Sequence, residues 1–343
     1  MENIAVVGAG SWGTALAIKL GEKGYSVSLW ARDAKAVSSI NSLRENTKYL
    51  KGCRLPESVN ATENLEEALE NSLVVVLAVP SNAVREVTRN CSPFIKAGMY
   101  VVNTAKGFEL ETLKLLSTVI EEEVIPQVRD NIVVLSGPSH AEEVGRGMPT
   151  TVVVSARKRF AAEYIQDVFM HDAFRVYTNP DIIGVQLAGA LKNVIALASG
   201  VSDGLGFGDN TKAALMTRGI AEIARLGVKM GADVMTFAGL AGIGDLIVTC
   251  TSMHSRNRRA GIQLGQGQSL QEILAGMGMV VEGVPTTKAA YALSRKYEIE
   301  MPITDHVHKV LFEELDPDRA VKDLMMRGKK NEMEEIVMLQ PDW

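Results

Sequence analysis

The 343-residue chain holds only three cysteines, Cys53, Cys91 and Cys250, an odd number with no C-x-x-C among them. That excludes a disulfide framework and a cysteine-zinc knuckle, and it fits a reducing, cytoplasmic setting. Histidine is scarce as well: the five residues show no metal-binding spacing, and His306 and His308, two apart in a helical pattern, point to different faces. No metal is expected. A strong charge of either sign is also missing, since the net charge of −5 gives no global reason to expect nucleic acid or an anionic membrane as partner. Repeats and low-complexity segments are absent. No secretory leader is read either, because "NIAVVGAG" begins at residue 3 and reads as a first strand. Of long apolar runs, "GVQLAGALKNVIALASG" (184–200) stands out, and it is nearly long enough to span a bilayer. Lys192 and Asn193 at its centre favour a buried core helix over membrane insertion.

What is present is enough apolar material, 46% of residues, for about two domains. Residues 1–178 alternate helix-length segments such as 112–124 with the runs "NIAVVGAG", "SVSLWAR", "LVVVLAVP", "YVVNTAKG", "NIVVLSGPS" and "TTVVVSA". Continuous β-branched runs of this length indicate strands buried on both faces, hence a doubly wound, mostly parallel α/β sheet. Beyond about Asn179 the pattern turns helical: 181–200, 211–230, 269–276, 285–297 and 302–314, joined by glycine-rich connections. The expected organisation is a nucleotide-type domain over 1–178 and an all-α domain over 179–343.

"VVGAGSWGTALA" carries Gly8, Gly10 and Gly13 as G-x-G-x-x-G after a strand and at the start of a helix, the context this motif requires. Gly8 permits the turn, Gly10 lets a pyrophosphate approach, and Gly13 lets helix and strand pack closely. The N–H groups of Ser11 and Trp12 would meet the pyrophosphate. This predicts a Rossmann-type dinucleotide site. The second strand ends "LWARD", placing Arg32 ahead of Asp33 where an NAD site usually has an acid. A guanidinium there can pair with a 2′-phosphate, which favours NADP with tolerance of NAD; the alternative is a solvated surface arginine.

Three other strand ends carry unusual residues: a Pro-Ser turn in "LAVPSNAV", Lys106 before Gly107 in "VVNTAKGFE", and Gly137, Pro138 and Ser139 in "VVLSGPSHAEE". Each could be ordinary loop chemistry, and Ser139 alone reads as a helix N-cap. Their shared sheet edge defines one crevice. In the helical half, small residues flank Lys192 and leave room for a substrate, while burial would lower the lysine's pKa toward neutrality. Pairing with a buried carboxylate such as Asp245 is the other reading, and the two overlap. "SRNRR" (255–259) gathers charge that suits either phosphate or a solvated basic loop.

Taken together, "GAGSWGTALA", "LWAR", "AKG", "SGPSHAEEV", "LKNVIALASG", "GIGDLIVTC" and "SRNRRAG" resemble bacterial NAD(P)-dependent glycerol-3-phosphate dehydrogenases over essentially the whole chain. The resemblance implies reduction of dihydroxyacetone phosphate to sn-glycerol 3-phosphate for phospholipid synthesis, by a cytoplasmic homodimer. It also implies a helical substrate domain of the 6-phosphogluconate dehydrogenase C-terminal type. By the same resemblance Ser11, Trp12, Arg32 and Tyr49 contact the dinucleotide, Ala141 touches it through its backbone, and Val280 and Glu282 belong to a segment closing over it. Lys106 lies where cofactor and substrate meet, with Gly137 and Ser139 lining the substrate. Lys192 becomes the proton-transfer residue with Asp245 its partner. Ser255, Arg256 and Asn257 grip the phosphate, Arg256 also reaching the cofactor. Asp33 departs from the histidine or asparagine of some relatives. A related dehydrogenase of 3-hydroxyacids or ketopantoate would have no use for "SRNRR". A dinucleotide-sensing regulator would need a partner module, and no helix-turn-helix or basic stripe is present.

Overall fold

The computed structural model describes residues 2–329, 331 and 332; the ends of both expected domains, residue 1 and residues 330 and 333–343, lie outside them. The first half alternates strand and helix: β1 (Asn3–Val7), α1 (Ser11–Glu22), β2 (Ser26–Trp30), α2 (Ala34–Leu43), β3 (Val59–Thr62), α3 (Leu65–Leu69), β4 (Ser72–Leu77), α4 (Val84–Cys91) and β5 (Tyr100–Asn103). A small hairpin, β6 (Phe108–Glu109) and β7 (Lys114–Leu115), precedes α5 (Leu116–Glu123), so the helix expected over 112–124 begins only at 116. Then follow β8 (Ile132–Ser136), α6 (Ala141–Gly145), β9 (Thr150–Ala156), α7 (Arg159–Phe169) and β10 (Phe174–Asn179).

The main sheet has the order β10-β9-β8-β5-β4-β1-β2-β3. Its pairs are parallel except β8–β9. The central strands are buried on both faces, as their unbroken apolar runs require. Strand order reverses between β1 and β4, so a crevice opens at their carboxyl ends, the place where ligands bind in open α/β sheets. The antiparallel β8–β9 pair has a consequence. The chain leaves β10 at the opposite end of the sheet, and the next helix must carry it back past the carboxyl end of β8.

That helix is α8 (Ile182–Gly204), capped by Asp181, whose carboxylate accepts from Gly184 N at 2.8 Å. It is apolar and long enough to cross a membrane by length alone, but most of it is enclosed by protein. Around it pack α9 (Asp209–Lys229), α10 (Val234–Phe237), a π-helical turn (Leu240–Gly244), α11 (Asp245–Thr251), α12 (Arg256–Gly265), α14 (Gly283–Lys296) and α15 (Pro302–Phe312), while α13 (Leu270–Gly276) lies against α12, and α16 (Pro317–Met325) against α12 and α15. The segment "SRNRR", with a solvated loop as one expectation, is the first turn of α12, begun by the Ser255 cap.

How α12 meets α8 fixes the second half. Gly200 and Gly204 of α8 face Gly261 and Gly265 of α12 with backbone against backbone. A Cβ at Gly200 would lie 2.1 Å from the Arg258 carbonyl oxygen, and one at Gly261 would lie 2.2 Å from the Leu197 oxygen. Neither obstacle is a side chain that can turn aside, so only glycine fits. Gly261→Ala should therefore destabilise the protein by about 3 kcal/mol through overpacking. Gly276→Ala, in α13 with open space around it, should be neutral or slightly stabilising. Paired thermal melts check this; equal midpoints for the two variants would refute the crossing constraint.

Candidate active site

Strand ends and helix middles meet in one cleft of about 730 Å³. At its nucleotide end lies the first glycine turn. Gly8 adopts φ +119°, and its own Cβ would collide with the Ala78 carbonyl at the end of β4, while a Cβ on Gly13 would lie 1.9 Å from the Gly8 oxygen. Gly10, by contrast, has nothing within 4 Å of a Cβ, so its backbone is open to an approaching ligand. It caps α1 without a side chain, leaving the first N–H groups of that helix for an anion. These are the features a pyrophosphate needs, and the chain fits a dinucleotide here. Ser11, Trp12, Arg32, Tyr49, Ala141, Val280 and Glu282 all line the same cleft. Asp33 lines it too, yet its carboxylate caps α2, accepting from Lys35 N at 3.0 Å. Among the described residues Arg32 has no carboxylate partner.

At the other end, Asp245 is 1% exposed and sits between two ammonium groups. Its Oδ1 is 2.5 Å from Lys192 Nζ on α8, and its Oδ2 is 2.6 Å from Lys106 Nζ beyond β5. Lys106 also donates to the Gly137 carbonyl at 3.0 Å, and Gly137 holds a φ of +121° that favours glycine. Lys192 is 5% exposed, is paired with Asp245, and lines the cleft. Burial pushes its pKa down to about 8; Asp245 opposes this and Lys106 adds to it. Burial would raise Asp245, but the two lysines outweigh it and hold the carboxyl below its ordinary value. Two cations around one anion leave the site net positive, a preorganised environment for an oxygen gaining negative charge.

A fourth group at this centre, Thr249, was not legible beforehand. It receives a hydrogen bond from Lys192 and donates to the Asp245 backbone carbonyl at 2.6 Å, one turn along α11. The signal was there as Asp-x-x-x-Thr, helical spacing on one face. His140 also lines the cleft, and burial, with Lys192 nearby, depresses its pKa.

The charged turn of α12 is divided by the fold. Arg258 points back to Asp203, with nitrogen–oxygen distances of 2.7 and 2.8 Å. Arg256 and Arg259 line the cleft, and among the described residues neither has an ion-pair partner. Arg256 donates to the Val280 carbonyl at 2.8 Å, and burial lowers its pKa. Ser255 and Asn257 reach the same end, but the protein already holds them. Ser255 Oγ caps Arg258 N at 3.2 Å; Asn257 Oδ1 accepts from Gly283 N at 2.8 Å, and its Nδ2 donates to Asn193 at 2.9 Å. Each keeps one hydrogen to offer a ligand. Gly13, Gly137 and Asp245 stand directly behind the lining, while Ser139 forms part of it.

Known proteins match this chain over nearly its full length. The family models described as NAD-dependent glycerol-3-phosphate dehydrogenase N-terminus and C-terminus match residues 3–162 and 181–322. A protein of Moorella thermoacetica named glycerol-3-phosphate dehydrogenase [NAD(P)+] is 60% identical over 97% of this chain and 98% of its own length. Its namesake from Bacillus subtilis is 55% identical, with 98% of each covered. The crystal structure of a glycerol-3-phosphate dehydrogenase from Coxiella burnetii superimposes with a TM-score of 0.90 at 40% identity, covering 95% of this chain and 99% of that one. With a glycine turn built for a dinucleotide at one end of the cleft and a Lys–Asp–Lys set at the other, the chain belongs to the NAD-dependent glycerol-3-phosphate dehydrogenase family and is an NAD(P)-dependent oxidoreductase.

Proposed function

We propose that the chain catalyses the reversible reduction of dihydroxyacetone phosphate to sn-glycerol 3-phosphate with NADPH or NADH, using the residues of this cleft. The observation that carries the reading is the joint presence of the buried Lys106–Asp245–Lys192 set and of Arg256 and Arg259, which have no ion-pair partner among the described residues. When bound, the nicotinamide supplies a hydride to the carbonyl carbon. Lys192, as ammonium, donates a proton to the oxygen, and in the reverse direction the neutral amine takes it back. Lys106 polarises the carbonyl and holds it near Gly137 and Ser139. Asp245 aims both ammonium groups and keeps Lys192 charged. Arg256, with Ser255 and Asn257, holds the phosphate, so that a group remote from the chemistry fixes the reacting carbon. Ser11, Trp12, Arg32, Tyr49, Ala141, Val280 and Glu282 hold the dinucleotide, with Gly8, Gly10 and Gly13 shaping its turn. A division into units near residues 178/179 is supported by the end of β10 at Asn179. A cytoplasmic homodimer supplying phospholipid synthesis completes the reading, in keeping with three buried free thiols.

The direct test is oxidation of NADPH and NADH at 340 nm with dihydroxyacetone phosphate, against dihydroxyacetone without its phosphate. Turnover with the first, and kcat/KM lower by about 10³-fold or more with the second, is expected for a grip made by one guanidinium and two neutral hydrogen-bonding side chains. Turnover with neither would overturn the reading.

The role of Lys192 sets the pH dependence. Reduction needs the ammonium, so its kcat/KM should fall as pH rises through about 8; oxidation needs the amine and should rise through the same range. Asp245→Asn removes a charge that holds the proton on Lys192, and the reduction limb should move to lower pH. A limb that stays in place would assign the titration to another group. Arg32→Gln should raise KM for NADPH about tenfold or more while leaving NADH within about twofold, the difference one lost 2′-phosphate pairing makes. Equal effects on both dinucleotides would remove Arg32 from 2′-phosphate recognition.

A further inference from the structure

The Pro-Ser turn after β4 has no place in the chemistry above, yet it joins the two halves of the molecule. Ser81, buried, lies 201 residues before Glu282, whose carboxylate it binds twice. Its backbone N–H donates to Oε1 at 3.0 Å, and its hydroxyl donates to Oε2 at 2.6 Å. The loop carrying Lys106 passes close beneath. A Cβ on Gly107 would come within 2.6 Å of Ser81 Cβ and 3.6 Å of Glu282 Oε2, so a glycine there is what lets the three segments meet.

From Glu282 the contacts continue without a gap. Gly283 N, the next residue, donates to Asn257 Oδ1; Asn257 Nδ2 donates to Asn193 Oδ1, and Asn193 adjoins Lys192 on α8. Two residues before Glu282, the Val280 carbonyl accepts from Arg256. The segment 280–283 therefore orients both phosphate-gripping side chains, and the serine anchors that segment to the nucleotide half.

We propose that Ser81 is a positioning residue: by clamping the Glu282 carboxylate it holds segment 280–283 in place and thereby aims Arg256 and Asn257 at the substrate phosphate. The proposal rests on the reading that these two side chains grip the phosphate. Ser81 itself touches neither substrate nor the reacting atoms. A charge-assisted bond of this kind, lost from a partly buried site, loosens what it holds while leaving the proton chemistry at Lys192 intact.

The test is Ser81→Ala, with Ser81→Thr as the conservative variant. In steady state, Ser81→Ala should raise KM for dihydroxyacetone phosphate about fivefold to tenfold with kcat within about twofold, and Ser81→Thr should restore most of it. Without any dinucleotide, calorimetric binding of sn-glycerol 3-phosphate should weaken by a similar factor. In a Glu282→Gln background the serine change should add little, because the two residues act as one unit. A lowered melting temperature with KM and ligand affinity unchanged would make Ser81 merely structural and overturn the proposal, as would full additivity with Glu282→Gln. If the wild-type protein turns over the substrate and binds sn-glycerol 3-phosphate while Ser81→Ala is silent in both, the latch alone fails. If the wild type does neither, the phosphate reading fails and the latch with it.

Discussion

The second half of this molecule is arranged around a carboxylate that water cannot reach. Desolvating Asp245 alone would cost several kcal/mol, and the burial is tolerated because two ammonium groups arrive from different elements. One comes from the loop beyond β5, the other from the middle of α8. The three side chains form a joint between sheet and helices as well as a site. The position of Asp245 has its own cause. A π-helical turn precedes it, and Gly242 packs so closely on Phe237 that a Cβ would sit 2.0 Å from the Phe237 oxygen. This turn delivers the carboxylate to the lysines at the head of α11.

A second constraint sets the length of the site. Lys192 and the charged turn of α12 are far apart in sequence, and the glycine crossing between α8 and α12 determines how far apart they are in space. Close backbone approach leaves no side-chain layer between the helices to yield, so the backbones that carry Lys192 and Arg256 are held at a set separation. Rigidity of this kind suits a small phosphorylated substrate, where a 1 Å error between phosphate and carbonyl is costly. It also explains why Arg258 and Arg256, two apart on one turn, do different work: one faces Asp203 behind the helix, the other the cleft.

Much of the fold was legible because burial writes itself into composition. β1, β4 and β8 are covered on both faces and read as unbroken apolar runs. The edge strands β3 and β10 escaped for the same reason inverted: one face is exposed, so buried and exposed residues alternate along "VNAT" and "FRVYTN". Helix α12 was hidden differently. Its buried positions Asn257, Ala260, Gly261 and Leu264 do follow helical spacing, but two of the four are not apolar side chains at all. A glycine that packs against backbone looks, in a sequence, like a glycine that breaks a helix. Lys192, Lys106 and Asp245 were legible as charges out of place; Thr249 and the Ser81–Glu282 contact were not, since neither residue is unusual until its partner is known.

Electrostatics links these features. The chain is acidic overall, with a net charge of −5, yet one end of the cleft gathers Lys106 and Lys192 on the buried Asp245 carboxylate, with Arg256 and Arg259 along its wall. Four cations against fewer facing carboxylates raise the energy of the empty site, and an anion with a phosphate at one end and developing charge at the other lowers it at both. Dihydroxyacetone phosphate has this charge distribution only as its carbonyl oxygen becomes negative. In the reaction proposed above, the phosphate end would be satisfied on binding and the lysine end only during reaction, so the same positive field that draws the substrate in would stabilise the transition state more than the ground state.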